Sequence, residues 1–526
     1  MFLTLASLLT GTLNAEPGNH AQPRNYACAD QAPFTFAELT ALAKNPLSPA
    51  LENKLNRVLA EPVVCNDAAI PRDAGGHPVR IVEWNVNHGL NEREIEAALR
   101  GPGAFHARVT ADPRGGSRAR LDEELQVLSQ ADVIVLDEVD CGVGRTQYRN
   151  IARDLAGALG MNYAYGVEFV ELERIYLGLD RADNVNLGRY RATEGTVVLS
   201  RYPIARAEVV RLPMKYDWYG SEVKAVTDLE KARRWSAERV FDEHINGQVR
   251  RGGRMALMVN LRVPESPTGF LSVVCPHLEN YTTPAGRAEQ MNYLLRHIQN
   301  NPNPLVLAGD LNSTGADAQP VSVRRELLQR AKSVRFWASQ ALFVLTPVTG
   351  LRYMLYPIDY FKNFHDPTAI SVPLALANPE AAQFGAVKSF QFCDGGAFDR
   401  GGDPRLSHGL RGGAFSGSNQ RAWKGFVPTF ALKRTYHGVV GEYKTDWFLV
   451  KPAPPLFLPF NGRTLNEVNR APLVHISDHA PIVVWLATAP LGTAPPNRVS
   501  PTQSGRDGSP AHSRGPASER CAAPPE

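Results

Sequence analysis

A handful of short stretches carry the side chains able to do chemistry. "NPLVLAGDLNST" (Asn303–Thr314) ends an apolar run on Asp310 and Asn312, an acid and an amide two residues apart. Residues i and i+2 of an extended chain point to one side. Both groups are therefore expected at the exit edge of a strand, where ligands of α/β folds sit. Taken alone, Asp-Leu-Asn reads as an Asx turn. It has company. "RIVEWNVN" brings Asn85, "VIVLDEVD" brings Glu138 flanked by Asp137 and Asp140, and "SVVCPHLEN" brings His277. "KTDWFLV" adds Asp446, and "HISDHAPIVV" adds Asp478 and His479. Carboxylates, amides and imidazoles at equivalent strand ends suit the handling of phosphate and of a hard cation, which prefers oxygen ligands. For His88, Asp137, Asp140 and His475 the expected roles are packing, capping or solvated edges. The spacing His475–Asp478–His479 imitates a metal cluster but lacks further ligands.

Strands must position these groups. Candidates are "VRIVEWNV", "ADVIVLDEV", "GTVVLSRYPI", "RMALMVNLRV", "GFLSVVCPHL", "PLVLAGDL", "TDWFLVKP" and "SDHAPIVVWL". Helices are expected at "NEREIEAALR", "RARLDEELQVLSQ", "YRNIARDLAGALG" and "GRAEQMNYLLRHIQN". That alternation favours α/β layers over an all-β sandwich. Four regions are expected: an apolar opening over 1–15, a polar lead-in with helical patches over 16–78, a folded region over 79–487, and a tail over 488–526. The tail is rich in Pro, Ser and Gly and is expected to be disordered. Residues 315–442 form an unusually long, loop-rich stretch, expected to be a surface insertion.

The 526 residues are 43% hydrophobic, enough for a large core, and the net charge of +4 neither demands nor forbids a nucleic-acid partner. The basic clusters "KARRW", "VRRGGR" and "VRRELLQRAKSVR" read first as solvated faces. The opening "MFLTLASLLTGTLNA" has the length of the apolar part of a secretory signal, without a basic start. No later run approaches a membrane span. Export, to the periplasm or outside the cell, is the expectation. Of six cysteines, Cys28 and Cys65 are candidates for a bridge in an oxidising compartment. Cys141, Cys275 and Cys393 are expected to be buried free thiols.

In order and wording these segments resemble the endonuclease/exonuclease/phosphatase superfamily, the fold of pancreatic-type deoxyribonuclease. "WNVN", "LDEV", "PHLE", "GDLN", "TDWFLV" and "SDHAPI" match its motifs in sequence order, as do "GTVVLSRYPI" and "HLENYTTPAGRAEQM". The resemblance implies an α/β (α+β) fold of four layers, two packed mixed β-sheets flanked by helices, with the motif loops meeting in one cleft. It implies phosphodiester hydrolysis with a divalent cation, Mg²⁺ first and Mn²⁺ or Ca²⁺ as alternatives. Glu138, helped by Asn85 and Asp478, would hold the cation. Asp310 and Asn312 would orient water or phosphate, and His277 would donate to a phosphate oxygen, so that Asn312 and His277 also bind substrate. Asp446 and His479 would form a dyad in which the carboxylate fixes the imidazole that activates water. Pro276 stands where relatives often carry Thr, and Thr196 where many carry Asn, which bears on specificity rather than on the reaction.

The favoured function is an exported nuclease acting on nucleic acid. Alternatives are a lipid phosphodiesterase of sphingomyelinase type, or another phosphatase of this fold, and a non-catalytic binding protein that kept the fold. Idle buried carboxylates are costly to keep together, which weighs against the last. "KYDWYG" (Lys215–Gly220) is the one compact aromatic cluster that would suit contact with a membrane. A monomer is expected.

Overall fold

The computed structural model describes residues 34–313 apart from 45, 67, 69–76, 111–116 and 241–247. Beyond them it describes chiefly 380–399, 419–422, 425–431, 442–470, 472 and 476–490, with a few isolated residues and pairs. The expected apolar opening and the tail beyond 490 lie outside the described residues, as do Cys28 and His475.

The larger sheet contains β1 (Val63–Cys65), β2 (Val79–Asn85), β3 (Val133–Cys141), β4 (Asn162–Glu171) and β5 (Thr193–Ser200). The smaller sheet contains β6 (Ile204–Arg211), β8 (Met255–Arg262), β9 (Phe270–Pro276), β10 (Leu305–Asp310) and β11 (Asp446–Lys451). The short β7 (Arg250–Gly252), β12 (Pro459–Thr464) and β13 (Ile482–Leu486) return to the larger sheet. Its order is β1-β4-β5-β3-β2-β13-β12 with β7 added to β4, and the smaller runs β11-β10-β9-β8-β6. Both are mixed, because β2–β3 and β9–β10 are parallel while their other neighbours are antiparallel.

Apolar alternation on these strands builds three cores and hence four layers. Val133, Val135, Val198, Val273, Val306 and Phe448 interdigitate between the sheets. The outer face of the larger sheet, through Trp84, Ile134 and Leu199, packs on α3 (Glu92–Arg100), α5 (Arg118–Ser129) and α6 (Ile151–Leu159). The outer face of the smaller sheet, through Val274, Leu307 and Leu449, packs on α10 (Pro284–Ile298). That helix starts two residues before the expected Gly286, with Thr283 accepting the Gly286 N–H at 3.1 Å and Pro284 in the first turn. Among the described residues no helix is long and apolar enough to cross a membrane.

Three segments differ from their compositional reading. The polar lead-in contributes α1 (Phe36–Leu42), α2 (Pro49–Ala60) and β1, and buries Leu39, Leu42, Leu51 and Leu55 in the outer core. Part of the long insertion is likewise core rather than surface. Its helix α11 (Ala381–Ser389) sets Phe384 and Val387 against Trp447 and Leu294. The aromatic "KYDWYG" is no exposed loop, since Trp218 and Tyr219 are buried. Cys65 and Cys393 are disulfide-bonded, which corrects the expectation of a free thiol at Cys393, while Cys275 is free and buried.

Two glycines let the strands approach closely. A Cβ on Gly195 would meet the Gly166 carbonyl oxygen at 1.8 Å, and one on Gly309 would meet that of Pro276 at 2.2 Å. Gly309 thus has a packing reason to precede Asp310.

Candidate active site

The last residue of β10 and the first of β11 are direct partners in the ladder, Asp310 opposite Asp446. The turn before β13 lies against the end of β2. There the Ser477 hydroxyl donates to the Asn85 carbonyl at 2.7 Å, and the Trp84 indole donates to the His479 carbonyl at 2.9 Å. These contacts align the motif ends within each sheet. The Asp310 N–H then donates across the gap to Asp137 Oδ2 at 3.0 Å.

His479 Nδ1 lies 2.9 Å from Asp446 Oδ2, and its Nε2 lies 3.9 Å from Asp310 Oδ2. Burial alone would raise Asp446, but His479 and the hydroxyls of Thr429 and Thr445 hold it at about 2. Burial works against a charged His479, and Asp446 nevertheless lifts that imidazole well above its ordinary range. The Phe430 ring rests on His479 with centroids 4.9 Å apart.

Glu138 reaches the cleft by an irregularity. The ladder of β3 and β5 shifts register between Leu136 and Val139, and Glu138 takes φ +54°. A bulge of this kind re-aims one side chain. It turns Glu138 out of the ladder, with its side chain 21% exposed. His88 Nε2 and His277 Nε2 each lie 3.8 Å from its carboxylate. Burial would raise Glu138, and the two imidazoles pull it below the usual range.

His277, fully buried, follows β9. Its Nδ1 faces Glu168 Oε1 at 3.1 Å, and its Nε2 lies 3.8 Å from Asp310 Oδ2. Arg254 Nη1 sits 2.8 Å from Glu168 Oε2 and 3.0 Å from His277 Nε2. Burial and Arg254 oppose the charged imidazole, yet Glu168 raises it to about 9.

"GDLN" adopts the Asx turn and still presents Asp310 to the cleft. Asp310 Oδ1 accepts the Asn312 N–H at 2.8 Å, an Asx turn, while Oδ2 faces the cleft and accepts the Asn85 amide at 3.3 Å. The chain does not stay extended here, since Asn312 has φ +47°. The turn, not strand alternation, puts Asn312 beside the site, where its amide donates to the Leu278 carbonyl at 2.9 Å. Asn85 Oδ1 accepts the Asn87 N–H at 3.0 Å and keeps a second lone pair. Asp478 is half-buried, and burial raises its carboxyl, as does the Glu138 charge, while His479 lowers it.

The donor set fits a divalent cation. The Glu138 carboxylate makes no hydrogen bond among the described residues, although it lies between two imidazoles. An acid turned out of its ladder without a hydrogen-bond donor is a group made for another partner. Asp478 is near enough for the Glu138 charge to raise it, and the Asn85 side chain lies against Asp310.

Of the roles expected for the neighbouring residues, packing fits and the solvated edge does not. Asp140 is fully buried, bonded to Arg145 at 2.8 Å. Asp137 is buried between the sheets, accepts from Thr196 at 2.9 Å, and is raised to about 7 by burial. His88 faces Glu138. None of the three is a solvated edge. Sequence reading missed Glu168, Arg254, Thr429 and Phe430. Glu168 lies on β4, a strand absent from the expected set, though "NYAYGVEFVE" does alternate. Thr429 and Phe430 lie in the insertion, where no local pattern announces them.

A family model described as Endonuclease/Exonuclease/phosphatase family matches residues 82–479, a span holding every residue placed in the cleft. No curated protein matches. Among solved structures, one titled endonuclease/exonuclease/phosphatase from Beutenbergia cavernae is 17% identical, with 78% of this chain and 72% of that one covered and a TM-score of 0.38. The human Nocturnin catalytic domain with bound sulfate is 13% identical, with 82% and 97% covered and a TM-score of 0.35. The 3'-5' exonuclease NExo of Neisseria meningitidis is 14% identical, with 77% and 98% covered and a TM-score of 0.35.

Proposed function

The chain belongs to the endonuclease/exonuclease/phosphatase family, and on that footing we propose that it is an exported, divalent-metal-dependent phosphodiesterase acting on nucleic acid. One observation carries the reading. Asp446 and His479 form a buried dyad at 2.9 Å whose free nitrogen faces Asp310 at 3.9 Å.

The dyad orders the proton transfers. Asp446 accepts from His479 Nδ1–H, so the neutral imidazole, which Asp446 makes the minor form near neutral pH, carries its lone pair on Nε2. A water between Nε2 and Asp310 gives its proton to Nε2 as its oxygen attacks phosphorus, and the P–O bond to the leaving alkoxide breaks opposite it, the alkoxide taking a proton from solvent. His277, held by Glu168 at 3.1 Å, donates from Nε2 to a non-bridging oxygen as charge grows there. Glu138, Asp478 and Asn85 would hold the divalent cation, which would supply positive charge to neutralise the phosphate and the leaving oxygen. Asn312 and Asp310 fix the line of attack, since a misplacement of about 1 Å can cost on the order of 10²-fold.

Export is supported by the apolar opening and by disulfide bonds at Cys65 and Cys393. One feature favours a lipid phosphodiester as a second reading. The helix α9 (Asp228–Val240) buries no residue and exposes Leu229, Trp235 and Val240 beside Lys231, Arg233 and Arg239. Such a mixture suits an anionic lipid surface. The test is a panel of plasmid DNA, RNA, sphingomyelin and a simple phosphate bis-ester with purified protein and Mg²⁺ or Mn²⁺. Cleavage of DNA or RNA is expected. Cleavage of sphingomyelin with both nucleic acids left intact would replace the nuclease reading by the lipid one.

A further inference from the structure

His88 has no part in the proton transfers above, yet it is positioned with care. Asn87, His88 and Gly89 have φ of +47°, +60° and +70°. Two successive left-handed non-glycine residues are costly and persist only where their surroundings impose them. The turn holds the imidazole, only 4% exposed, beside the cleft.

Its tautomer follows from its neighbours. Nδ1 lies 3.1 Å from Glu194 Oε2 and 3.1 Å from Arg145 Nη2. Both protons of that Nη2 have acceptors, Asp140 Oδ1 at 2.8 Å and Glu194 Oε2 at 3.0 Å. Burial and Arg145 oppose a charged ring, yet Glu194 and Glu138 raise it above its ordinary range; in the neutral ring Nδ1 is the donor, to Glu194, and the lone pair sits on Nε2, so a cation there displaces a proton. Nε2 faces Glu138 Oε2 at 3.8 Å and makes no hydrogen bond among the described residues. A carboxylate holding one nitrogen while the other is left open is how metal-binding histidines are oriented. Ligand atoms sharing a cation at about 2.1 Å each sit roughly 3–3.5 Å apart, so a small side-chain rotation closes the gap.

The neighbouring groups narrow the choice. Asp140 and Glu194 also lie within ligand reach of His88, but the Arg145 guanidinium bonds both and keeps a cation from that side. His277 is equally near Glu138, but Arg254 Nη1 lies 2.7 Å from its Nδ1 and 3.0 Å from its Nε2 and sets a fixed positive charge against that ring. We propose that His88 Nε2 is a ligand of the cation held by Glu138, and that this nitrogen shifts the site's preference toward Mn²⁺ over Mg²⁺. The proposal rests on the reading of Glu138 as the metal-bearing carboxylate. Imidazole suits transition metals, whereas Mg²⁺ takes oxygen ligands and water.

The test uses the full chain with less than one equivalent of Mn²⁺, read by electron spin-echo envelope modulation. Wild type is expected to show ¹⁴N modulation from imidazole, which changes frequency when histidine is ¹⁵N-labelled. The modulation should vanish in His88→Gln and survive in His277→Gln. Mg²⁺ should displace Mn²⁺ from His88→Gln at a ratio about 10-fold or more below that needed for wild type. Bound Mn²⁺ without ¹⁴N modulation in wild type overturns the proposal whether or not any variant folds, and so does unchanged modulation in a folded His88→Gln. Mn²⁺ bound equally well by Glu138→Gln removes the Glu138 reading instead, and the His88 proposal with it.

Discussion

Asp446 and His479 face each other at 2.9 Å across 33 residues of sequence, buried between β11 and the turn before β13. The Thr429 hydroxyl accepts the Asp446 N–H at 3.2 Å, and the Thr445 hydroxyl donates to Asp446 Oδ2 at 2.8 Å, so the carboxylate cannot turn away. Asp446→Asn keeps the shape and loses the charge that fixes the His479 tautomer. A fall in kcat on the order of 10³–10⁴ is expected, with the melting temperature nearly kept. An unchanged kcat would remove the dyad from the reaction.

Glu168→Gln tests the second histidine. Glu168 holds His277 and favours its charged form. The amide keeps the contact without the charge, so kcat should drop by about 10²-fold, the cost of one oriented donor at a developing oxyanion. KM should move little. A change confined to KM would make Glu168 a binding group.

The dyad was legible in the sequence and Glu168 was not, for a physical reason. Asp446, Asp478 and His479 border apolar runs that announce strands. Glu168 lies inside β4, whose ten residues are all buried, and a buried acid in a strand looks like any interior position until its partners are known. Glu138 was legible by motif, but the bulge that presents it was not, because a register shift leaves no mark on composition. The strand Val79–Asn85 and the helix Glu92–Arg100 follow the expected apolar periods closely. The insertion's Thr429 and Phe430 act only through long-range contacts with Asp446 and His479, which no local window contains.

Gly309→Ala should destabilise the fold by roughly 1–3 kcal/mol, the usual cost of overpacking, because its Cβ would lie 2.2 Å from the Pro276 carbonyl oxygen. The denaturant midpoint at constant slope measures this. A wild-type midpoint would show that β9 and β10 part easily.

Stability should depend on pH through Glu124. Its Oε2 accepts the N–H groups of Glu467 and Val468 at 2.7 and 3.1 Å. Burial pushes its carboxyl up to about 8, with Arg463 and those two donors opposing. A raised folded pKa means that the folded state keeps a proton that the unfolded chain releases near its ordinary 4.5. The contribution is full below that value and is lost as pH rises toward 8. Glu124→Gln mimics the neutral acid, so its melting temperature should fall less than wild type's between pH 5 and pH 8. Parallel profiles would remove Glu124 as the source.

The central claim is that these strand ends form one phosphodiesterase centre. The most direct measurement is the rate of bis-ester hydrolysis by purified full-length protein with Mn²⁺ or Mg²⁺, beside His479→Ala. Metal-dependent release by wild type is expected, abolished by a chelator and slowed by about 10³-fold or more in the variant. Hydrolysis by His479→Ala at the wild-type rate, or no hydrolysis by wild type with either metal, would contradict it.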